Sequence, residues 1–180
     1  MIQQSTYHKY QEQLANSKEI RYFWQFWSNY SFVFFFLAVV VMIANPQMRP
    51  FARPVVILMI FSFLIARGLL VTIINIFYER RRPYQEFNFA PITSKFFSFR
   101  TSYPNSFPSR HTTAYFAIAT VVCLFFPALG ASLVAVSLMA GAGRVILGFH
   151  WPSDIVAGAI LGTIIGYLTV AIGYSILFTK

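Results

Sequence analysis

Two histidines and the only aspartate of this 180-residue chain stand beside long apolar stretches. His150 and Asp154 are four residues apart at the start of the last stretch, and His111 precedes another. Ionisable residues at a membrane span are costly, so each is a functional candidate. If the turn after His150 is helical, its imidazole and the carboxylate meet on one face. The carboxylate can then hold one tautomer of the ring, as expected of an activated nucleophile.

A second polar group, residues 107–113, lies at the start of the third apolar stretch. It contains Ser109, directly after Pro108, and His111. A helix N-terminus offers unbonded backbone N–H groups and a partial positive charge, which together bind anions. Ser109 can donate a further hydrogen bond, and His111 is suited to protonating a leaving alkoxide. Arg144, six residues before His150, can neutralise an anion near the same turn.

A third group is the run of arginines 80–82, followed by Pro83 at the exit of the second apolar stretch. A guanidinium binds two phosphate oxygens through parallel hydrogen bonds. The loop 79–108 lies on one side of a membrane, and the chain crosses twice before the turn 148–154 returns to that side. All three groups are therefore predicted to face one compartment, around an anion-sized site.

Together these groups resemble the signature of the phosphatidic acid phosphatase type 2 superfamily, which includes membrane lipid phosphatases. The first part of that signature is Lys, six residues, then Arg-Pro, and Arg82-Pro83 matches its end. The second part, Pro-Ser-Gly-His, reads Pro108-Ser109-Arg110-His111. The third, Ser-Arg, five residues, His, three residues, Asp, reads Gly143-Arg144, then His150 and Asp154.

The resemblance implies a double displacement that needs no metal and no cofactor. His150 attacks phosphorus and forms a phosphohistidine, Asp154 orients it, and His111 protonates the leaving oxygen. Two histidines and one aspartate at these spacings would also make a poor divalent-ion cage. The resemblance assigns the phosphate oxygens to three further side chains: Arg82, Ser109 and Arg144.

Three positions depart from the family pattern. Asn75 stands where the family has Lys, so that phosphate ligand is missing or is replaced by Arg80 or Arg81. Arg110 stands in place of Gly, where it either adds a phosphate contact that suits a diphosphate or blocks the site. Gly143 stands in place of Ser, which removes one hydrogen bond.

The composition places these residues in a membrane protein. Apolar residues make up 57% of the chain and charged residues 11%, against about 25% charged in soluble domains. The 21 phenylalanines exceed what a soluble core of this size can hide. We therefore predict an all-α polytopic transmembrane helix bundle of five or six spans, occupying 29–180 as one domain. Five segments approach the length of a membrane helix: 30–44, 55–78, 112–126, 129–149 and 155–178.

The segment 1–28 differs from the rest of the chain. It mixes charged residues and Gln with aromatic residues, which favours an amphipathic helix at the interface. Trp24 and Trp27 would then lie at headgroup depth. Two alternatives stay open: a first span that begins earlier, within Tyr22–Trp27, and a separate short sixth span that begins near Tyr22.

Three glycines at four-residue spacing lie in the last predicted span, at Gly158, Gly162 and Gly166. This spacing places them on one helix face, where the backbone of another helix can approach closely. Packing within one copy of the chain is favoured over a dimer contact. The oligomeric state stays open.

The net charge of +9 favours membrane surfaces and phosphates as partners. Nucleic acid is disfavoured because the cations lie between membrane spans. A site at headgroup depth between apolar walls implies a lipid phosphate or diphosphate. The chain looks most similar to bacterial undecaprenyl-diphosphate phosphatases, while phosphatidylglycerophosphate, phosphatidate and lipid A phosphates remain alternatives. A different class of function, non-catalytic binding or translocation of a lipid phosphate, also stays open.

The resemblance implies a multi-pass protein of the plasma membrane with an outward-facing site. The positive-inside rule opposes this orientation if there are five spans. In that case five cations lie on the side of the site without belonging to it: Lys9, Lys18, Arg21, Lys95 and Arg100. A sixth crossing would move Lys9 and Lys18 to the other side.

Overall fold

The fold is seen in a computed structural model that describes residues 9, 12, 14, 16–89 and 105–178. Lys95 and Arg100 lie outside these residues. Every regular element in the described part of the chain is a helix. The helices are α1 (Lys18–Tyr30), α2 (Phe32–Ala44), α3 (Arg49–Phe77), the short α4 (Pro83–Glu86), α5 (Arg110–Phe125), α6 (Pro127–Ile146) and α7 (Pro152–Phe178).

The helices α3, α6 and α7 are each long and apolar enough to cross a membrane. The helices α1 and α2 qualify only as a pair, which is bent by 54°. Helix α5, with 16 residues, is shorter than these spans. Each of the five predicted segments is thus helical, and the predicted all-α transmembrane bundle is confirmed. The described chain holds three full-length spans, or four with the bent pair.

Helix α3 begins at Arg49, six residues before its predicted start. Pro50 lies in its first turn, where a backbone N–H has no intrahelical partner and a proline is tolerated. Pro54 is also accommodated inside the helix. A π-helical stretch, Leu64–Leu70, lies in the middle of α3. The predicted boundary at residue 55 was therefore too late.

Helix α5 is the centre of the bundle and packs against α3, α6 and α7. Its side chains are buried on most of its surface, and many are small, as at Ala114, Ala117 and Ala119. Small side chains let the surrounding helices approach its backbone closely. This burial explains how a helix of 16 residues remains within the bundle while longer helices face the outside.

The glycine face of α7 packs on α5. A Cβ atom added at Gly162 would collide with the carbonyl oxygen of Thr113, and one at Gly166 would lie 2.5 Å from the carbonyl oxygen of Ala117. At Gly158 it would lie 3.1 Å from Thr113 Oγ1. The predicted close packing within one chain is therefore confirmed.

The outer surface of the bundle is apolar. Phe36, Ile76 and Phe77 are 67%, 70% and 85% exposed, and many similar side chains cover the long helices. A water-soluble monomer rarely exposes apolar surface on this scale, whereas hydrocarbon chains of lipid accept it. The polar residues of interest gather instead at one end of the bundle, where α5 and α7 begin and α6 ends.

Candidate active site

The turn between α6 and α7 carries His150. The backbone N–H groups of Phe149 and His150 donate to the Arg144 carbonyl oxygen at 2.9 and 3.2 Å. Gly148 has a φ of 79°, a left-handed conformation that glycine adopts without strain. His150 thus lies before α7 and only Asp154 lies in its first turn, so the expected helical i, i+4 pair is wrong in this detail. The two side chains still meet, at 3.5 Å between Nδ1 and Oδ2.

The imidazole of His150 is oriented mainly by a backbone group. Its Nδ1 donates to the Ser106 carbonyl oxygen at 2.9 Å, which leaves the lone pair on Nε2. Arg82 Nη1 lies 3.4 Å from that Nε2 atom. The pKa of His150 is lowered to about 4, chiefly by burial; the Asp154 carboxylate opposes this shift, and the charges of Arg82 and Arg144 contribute to it. His150 is therefore a neutral base at neutral pH, with Nε2 available to a reacting atom.

Asp154 is the centre of a hydrogen-bond network and is fully buried. Its Oδ2 accepts from the Ser106 hydroxyl and, at 2.8 Å, from the backbone N–H of Trp151. Its Oδ1 accepts from Arg80 Nη1 at 2.7 Å, and the same Arg80 atom donates to Ser153 Oγ at 2.8 Å. The carboxylate therefore holds both the turn that carries His150 and Ser106, the residue bonded to His150.

Arg82 is buried beside His150. Its Nη1 donates to the Phe149 carbonyl oxygen at 3.1 Å, and its Nη2 donates to the Asn105 carbonyl oxygen at 3.2 Å. Its Nε is buried and has no hydrogen-bond partner among the described residues. Burial lowers the pKa of Arg82 from its ordinary value, although a guanidinium stays charged at neutral pH.

Arg144 approaches the same turn from the end of α6. Its guanidinium carbon lies 5.6 Å from the centre of the Phe149 ring, and its Nη2 donates to the Ser28 carbonyl oxygen of α1 at 3.0 Å. Its Nε is buried and, within the described chain, lacks a hydrogen-bond partner. Two arginines next to His150 thus each keep an unused N–H donor. Buried N–H donors without a hydrogen-bond partner are rare in folded proteins, so these two are candidates for binding an acceptor atom of a ligand.

Ser109 caps the N-terminus of α5 and is fully buried. Its hydroxyl oxygen accepts from the N–H and the hydroxyl of Thr112, at 3.5 and 3.1 Å. Its own N–H donates to the Asp154 carbonyl oxygen at 3.2 Å, which ties the start of α5 to the start of α7. His111 follows in the first turn, with its ring edge-on to Tyr115 at 6.2 Å. It lies within electrostatic range of Arg144, His150 and Arg82.

The remaining predicted ligands lie around this centre. Asn75 Nδ2 donates to the Val71 carbonyl oxygen of its own helix, while Asn75 Oδ1 is buried and unpartnered within the described residues. Arg110 Nη2 donates to Thr72 Oγ1 at 3.5 Å. The side chain of Arg81 is exposed, and its carbonyl oxygen accepts from Trp151 Nε1 at 2.9 Å. These three residues remain predictions as phosphate ligands.

Sequence reasoning missed three residues of this network. It did not consider Ser106 and Asn105, and it offered Arg80 only as a substitute phosphate ligand. Asn105 links two parts of the site, because its Nδ2 donates to the Asn75 carbonyl oxygen at 2.6 Å and its own carbonyl oxygen accepts from Arg82. Arg80 is instead paired with Asp154. Asn105 and Ser106 accept from Arg82 and His150 through their backbone carbonyls, which leave no signal in a sequence pattern.

No three side chains of His, Cys, Asp and Glu in the described residues gather closely enough to chelate a metal ion. The Asp154 carboxylate next to His150 is already paired with Arg80. Positive charge therefore dominates the surroundings of His150, supplied by Arg82 and Arg144 and extended by Arg110. Such a site favours a bound anion.

The helix bundle, with this cation-rich cluster at its end, defines a polytopic membrane protein. A family model described as the PAP2 superfamily matches residues 57–176, more than half of the chain. The chain belongs to the PAP2 superfamily, which confirms the resemblance drawn from the motifs. The matched residues include all three motifs but leave out α1 and α2.

Two curated relatives and one solved structure are similar to the chain. It is 33% identical over 115 residues to the lipid A 1-phosphatase of Rhizobium johnstonii, covering 61% of this chain and 45% of the relative. It is 36% identical over 63 residues to the undecaprenyl-diphosphatase BcrC of Bacillus subtilis, covering 35% of this chain and 33% of that relative. The chain thus matches less than half the length of each relative. The crystal structure of Aquifex aeolicus LpxE shares the fold, with a TM-score of 0.59, 23% identity, and coverage of 87% of this chain and 88% of that one.

Proposed function

We propose that this chain is a membrane lipid phosphatase that works through a phosphohistidine on His150. The observation that carries the proposal is the position of His150 Nε2, which is left free by the bond from Nδ1 to the Ser106 carbonyl oxygen and lies 3.4 Å from Arg82 Nη1. A phosphate oxygen bound by that guanidinium brings its phosphorus atom within reach of Nε2. Family membership supports the same chemistry.

The reaction has two steps. In the first, the His150 Nε2 lone pair forms a bond to phosphorus, the bond to the leaving oxygen breaks, and His111 gives that oxygen a proton. In the second, His111 takes a proton from water, the water oxygen attacks phosphorus, and the bond to Nε2 breaks. Phosphate is released and His150 is regenerated. Positively charged side chains act where negative charge grows on the equatorial oxygens.

Four groups bind the phosphate in this proposal. Arg82 and Arg144 use the buried Nε–H donors that the described residues leave unpartnered. Ser109 contributes its hydroxyl proton, because its oxygen already accepts two bonds from Thr112. The backbone N–H groups in the first turn of α5 add the positive end of a helix dipole. Asp154 stabilises the positive charge that develops on His150 in the transition state.

The substrate we propose is a lipid phosphate or diphosphate at the membrane surface, and undecaprenyl diphosphate is favoured. The similarity to an undecaprenyl-diphosphatase supports this choice, while the similarity to a lipid A 1-phosphatase keeps lipid A phosphate as a competitor. Phosphatidylglycerophosphate and phosphatidate remain further alternatives. We place the protein in the bacterial plasma membrane with the site facing outward.

The test is release of inorganic phosphate by purified protein in detergent, with EDTA, from a panel of lipid phosphates and diphosphates. His150→Ala is expected to lower turnover by about four orders of magnitude or more, as removal of a nucleophile does. Asp154→Asn should lower it strongly while the protein still folds. Ser132→Ala is the matched control, because Ser132 Oγ is exposed and, among the described residues, bonds the Ala128 carbonyl oxygen of its own helix.

A trapped phosphohistidine separates this proposal from the rival function. With radiolabelled substrate, His111→Ala should accumulate label on the protein, and the double variant with His150→Ala should not. A protein that binds or translocates lipid phosphates without hydrolysis would release no phosphate and would tolerate His150→Ala. Unchanged phosphate release by His150→Ala would remove the nucleophile assignment.

A further inference from the structure

We propose that helix α1 is a working part of the active site, in which it positions Arg144 for phosphate binding. The inference rests on the proposed function, since Arg144 is a phosphate ligand there. The family match begins at residue 57, so α1 lies outside it. The main evidence is the hydrogen bond from Arg144 Nη2 to the Ser28 carbonyl oxygen at 3.0 Å. It joins residues 116 positions apart and fixes one end of the guanidinium.

Gly143 permits this contact. A Cβ atom added at Gly143 would lie 3.1 Å from the Trp24 carbonyl oxygen, 3.3 Å from the Ser28 nitrogen and 3.4 Å from Ser28 Cβ. The backbone of α1 therefore rests directly on the backbone of α6, one residue before Arg144. The family pattern has Ser at this position, so the glycine is matched to the close approach of α1 in this chain.

The chain before Trp24 also packs on the turn that carries His150. Leu14 is 3% exposed and lies in one apolar cluster with Leu147 and Phe149, and Trp24 packs against the same cluster. Phe149 is in turn the residue under the Arg144 guanidinium. The N-terminal segment therefore contacts both the Arg144 side chain and the turn that carries His150.

Helix α1 turns polar side chains toward the protein and aromatic side chains outward, the opposite of a helix on the surface of a soluble protein. Gln25 and Ser28, 6% and 1% exposed, face the protein. Tyr22, Phe23 and Phe26 are about half exposed on the other side, at 61%, 49% and 45%. A helix that served only as a membrane anchor would gain nothing from burying these polar groups. The polar face is explained if α1 closes the site on the side of Arg144.

The geometry also explains how a guanidinium can be positioned without being neutralised. The Ser28 carbonyl oxygen takes one N–H of Arg144 and carries no formal charge, so the side chain keeps its full attraction for phosphate. Its Nε–H remains unpartnered within the described chain. A shift of α1 would let the guanidinium rotate away from the phosphate, and misplacements of about 1 Å can cost a hundredfold in rate.

The experiment is a double-mutant cycle between Gly143 and Arg144. Gly143→Val pushes against main-chain atoms of α1 and should lower kcat/KM by about tenfold to a hundredfold with Arg144 present. In the Arg144→Ala background the same change should cost less than about twofold, because its effect passes through the missing side chain. Orthovanadate mimics the phosphoryl-transfer transition state. Gly143→Val should weaken its inhibition when Arg144 is present and change it little in the Arg144→Ala background.

The matched control is Gly173→Ala in both backgrounds. A Cβ atom there would collide with the Leu58 side chain near the far end of α7, away from the site. Its effect on activity should be small and equal in the two backgrounds. Gly143→Ala, which adds only the Cβ, serves if Gly143→Val does not fold, and thermal unfolding of every variant separates lost fold from lost positioning.

Two results would overturn the inference. Equal losses from Gly143→Val or Gly143→Ala with and without Arg144 would show that α1 acts on the bundle as a whole. Full activity of both glycine variants would show that the contact is not needed. Failure of the proposed function is a different result, because the unsubstituted protein would then release no phosphate from any lipid in the panel.

Discussion

At the scale of single residues, the orientation of His150 depends on a residue outside the motif positions. Ser106 accepts from Nδ1 through its carbonyl oxygen and donates to Asp154 through its hydroxyl. The direct distance from His150 Nδ1 to Asp154 Oδ2 is longer, at 3.5 Å. The carboxylate therefore acts on the imidazole largely through Ser106 and through the backbone of the turn.

Ser106→Ala should slow the reaction without unfolding the protein. The change keeps the carbonyl that holds His150 but removes the hydroxyl donor to Asp154, a charge-assisted bond worth about 1.5–3 kcal/mol. We expect kcat to fall by about tenfold to a hundredfold, measured as phosphate release. Ser132→Ala should leave kcat unchanged, since its hydroxyl is exposed on α6. Full activity of Ser106→Ala would mean that the carboxylate orients His150 without this link.

At the scale of elements, the contact between α5 and α7 sets the spacing between the two parts of the site. Helix α5 carries Ser109 and His111 at its start, and α7 carries Asp154 at its own start. The glycine face of α7 lies against the backbone of α5, and the Ser109 N–H bonds the Asp154 carbonyl oxygen at 3.2 Å. The motif residues therefore converge because two helices share one close contact along their length.

Gly162→Ala should destabilise the bundle. An added Cβ collides with the Thr113 carbonyl oxygen, a main-chain atom that cannot rotate away, so the two helices must separate. Overpacking of this kind costs about 1–3 kcal/mol, and we expect a lower midpoint of thermal unfolding in detergent. Gly68→Ala is the control, because an added Cβ there meets nothing within 4 Å. Equal midpoints for the two variants would contradict the close contact.

At the scale of the whole molecule, the polar site lies at one end of the helix bundle and the apolar surface runs along its sides. The starts of α5 and α7, the end of α6 and the exit of α3 lie together, whereas the turn between α2 and α3 lies at the other end of the 29-residue α3. Under the proposed function, a lipid headgroup binds at the site from the membrane surface while its chains stay along the apolar walls. Orientation in the membrane then decides which compartment supplies the substrate.

Labelling of single cysteines in intact cells tests the outward orientation. In a Cys123→Ser background, Glu86→Cys lies on the side of the site and Gln47→Cys lies in the turn at the opposite end, and both positions are exposed. An impermeant maleimide should label Glu86→Cys in intact cells and Gln47→Cys only after permeabilisation. The reverse pattern would place the site in the cytoplasm, in agreement with the positive-inside count.

The helices could be predicted from the sequence because they follow local patterns, and local patterns also selected the candidate reacting residues, which stay predictions. Apolar segments of sufficient length identified each long helix, and motif spacing selected His150, His111 and Asp154. The error in the start of α3 was local as well: the helix begins six residues earlier than predicted, with Pro50 in a first turn that tolerates proline. The bent pair α1–α2 could not be anticipated, because composition does not report a bend between two helical segments.

The sequence by itself determined that the chain is a helical membrane protein whose scarce ionisable residues could form an anion site. Only the tertiary structure decided which partner each of them has. His150 bonds Ser106, Asp154 pairs with Arg80, and Arg144 bonds Ser28, at separations of 44, 74 and 116 residues. Two of these three bonds end on backbone carbonyls, which every residue possesses, so no residue type could mark them in advance. Packing of the helices brings those carbonyls into place, and packing is a property of the whole fold.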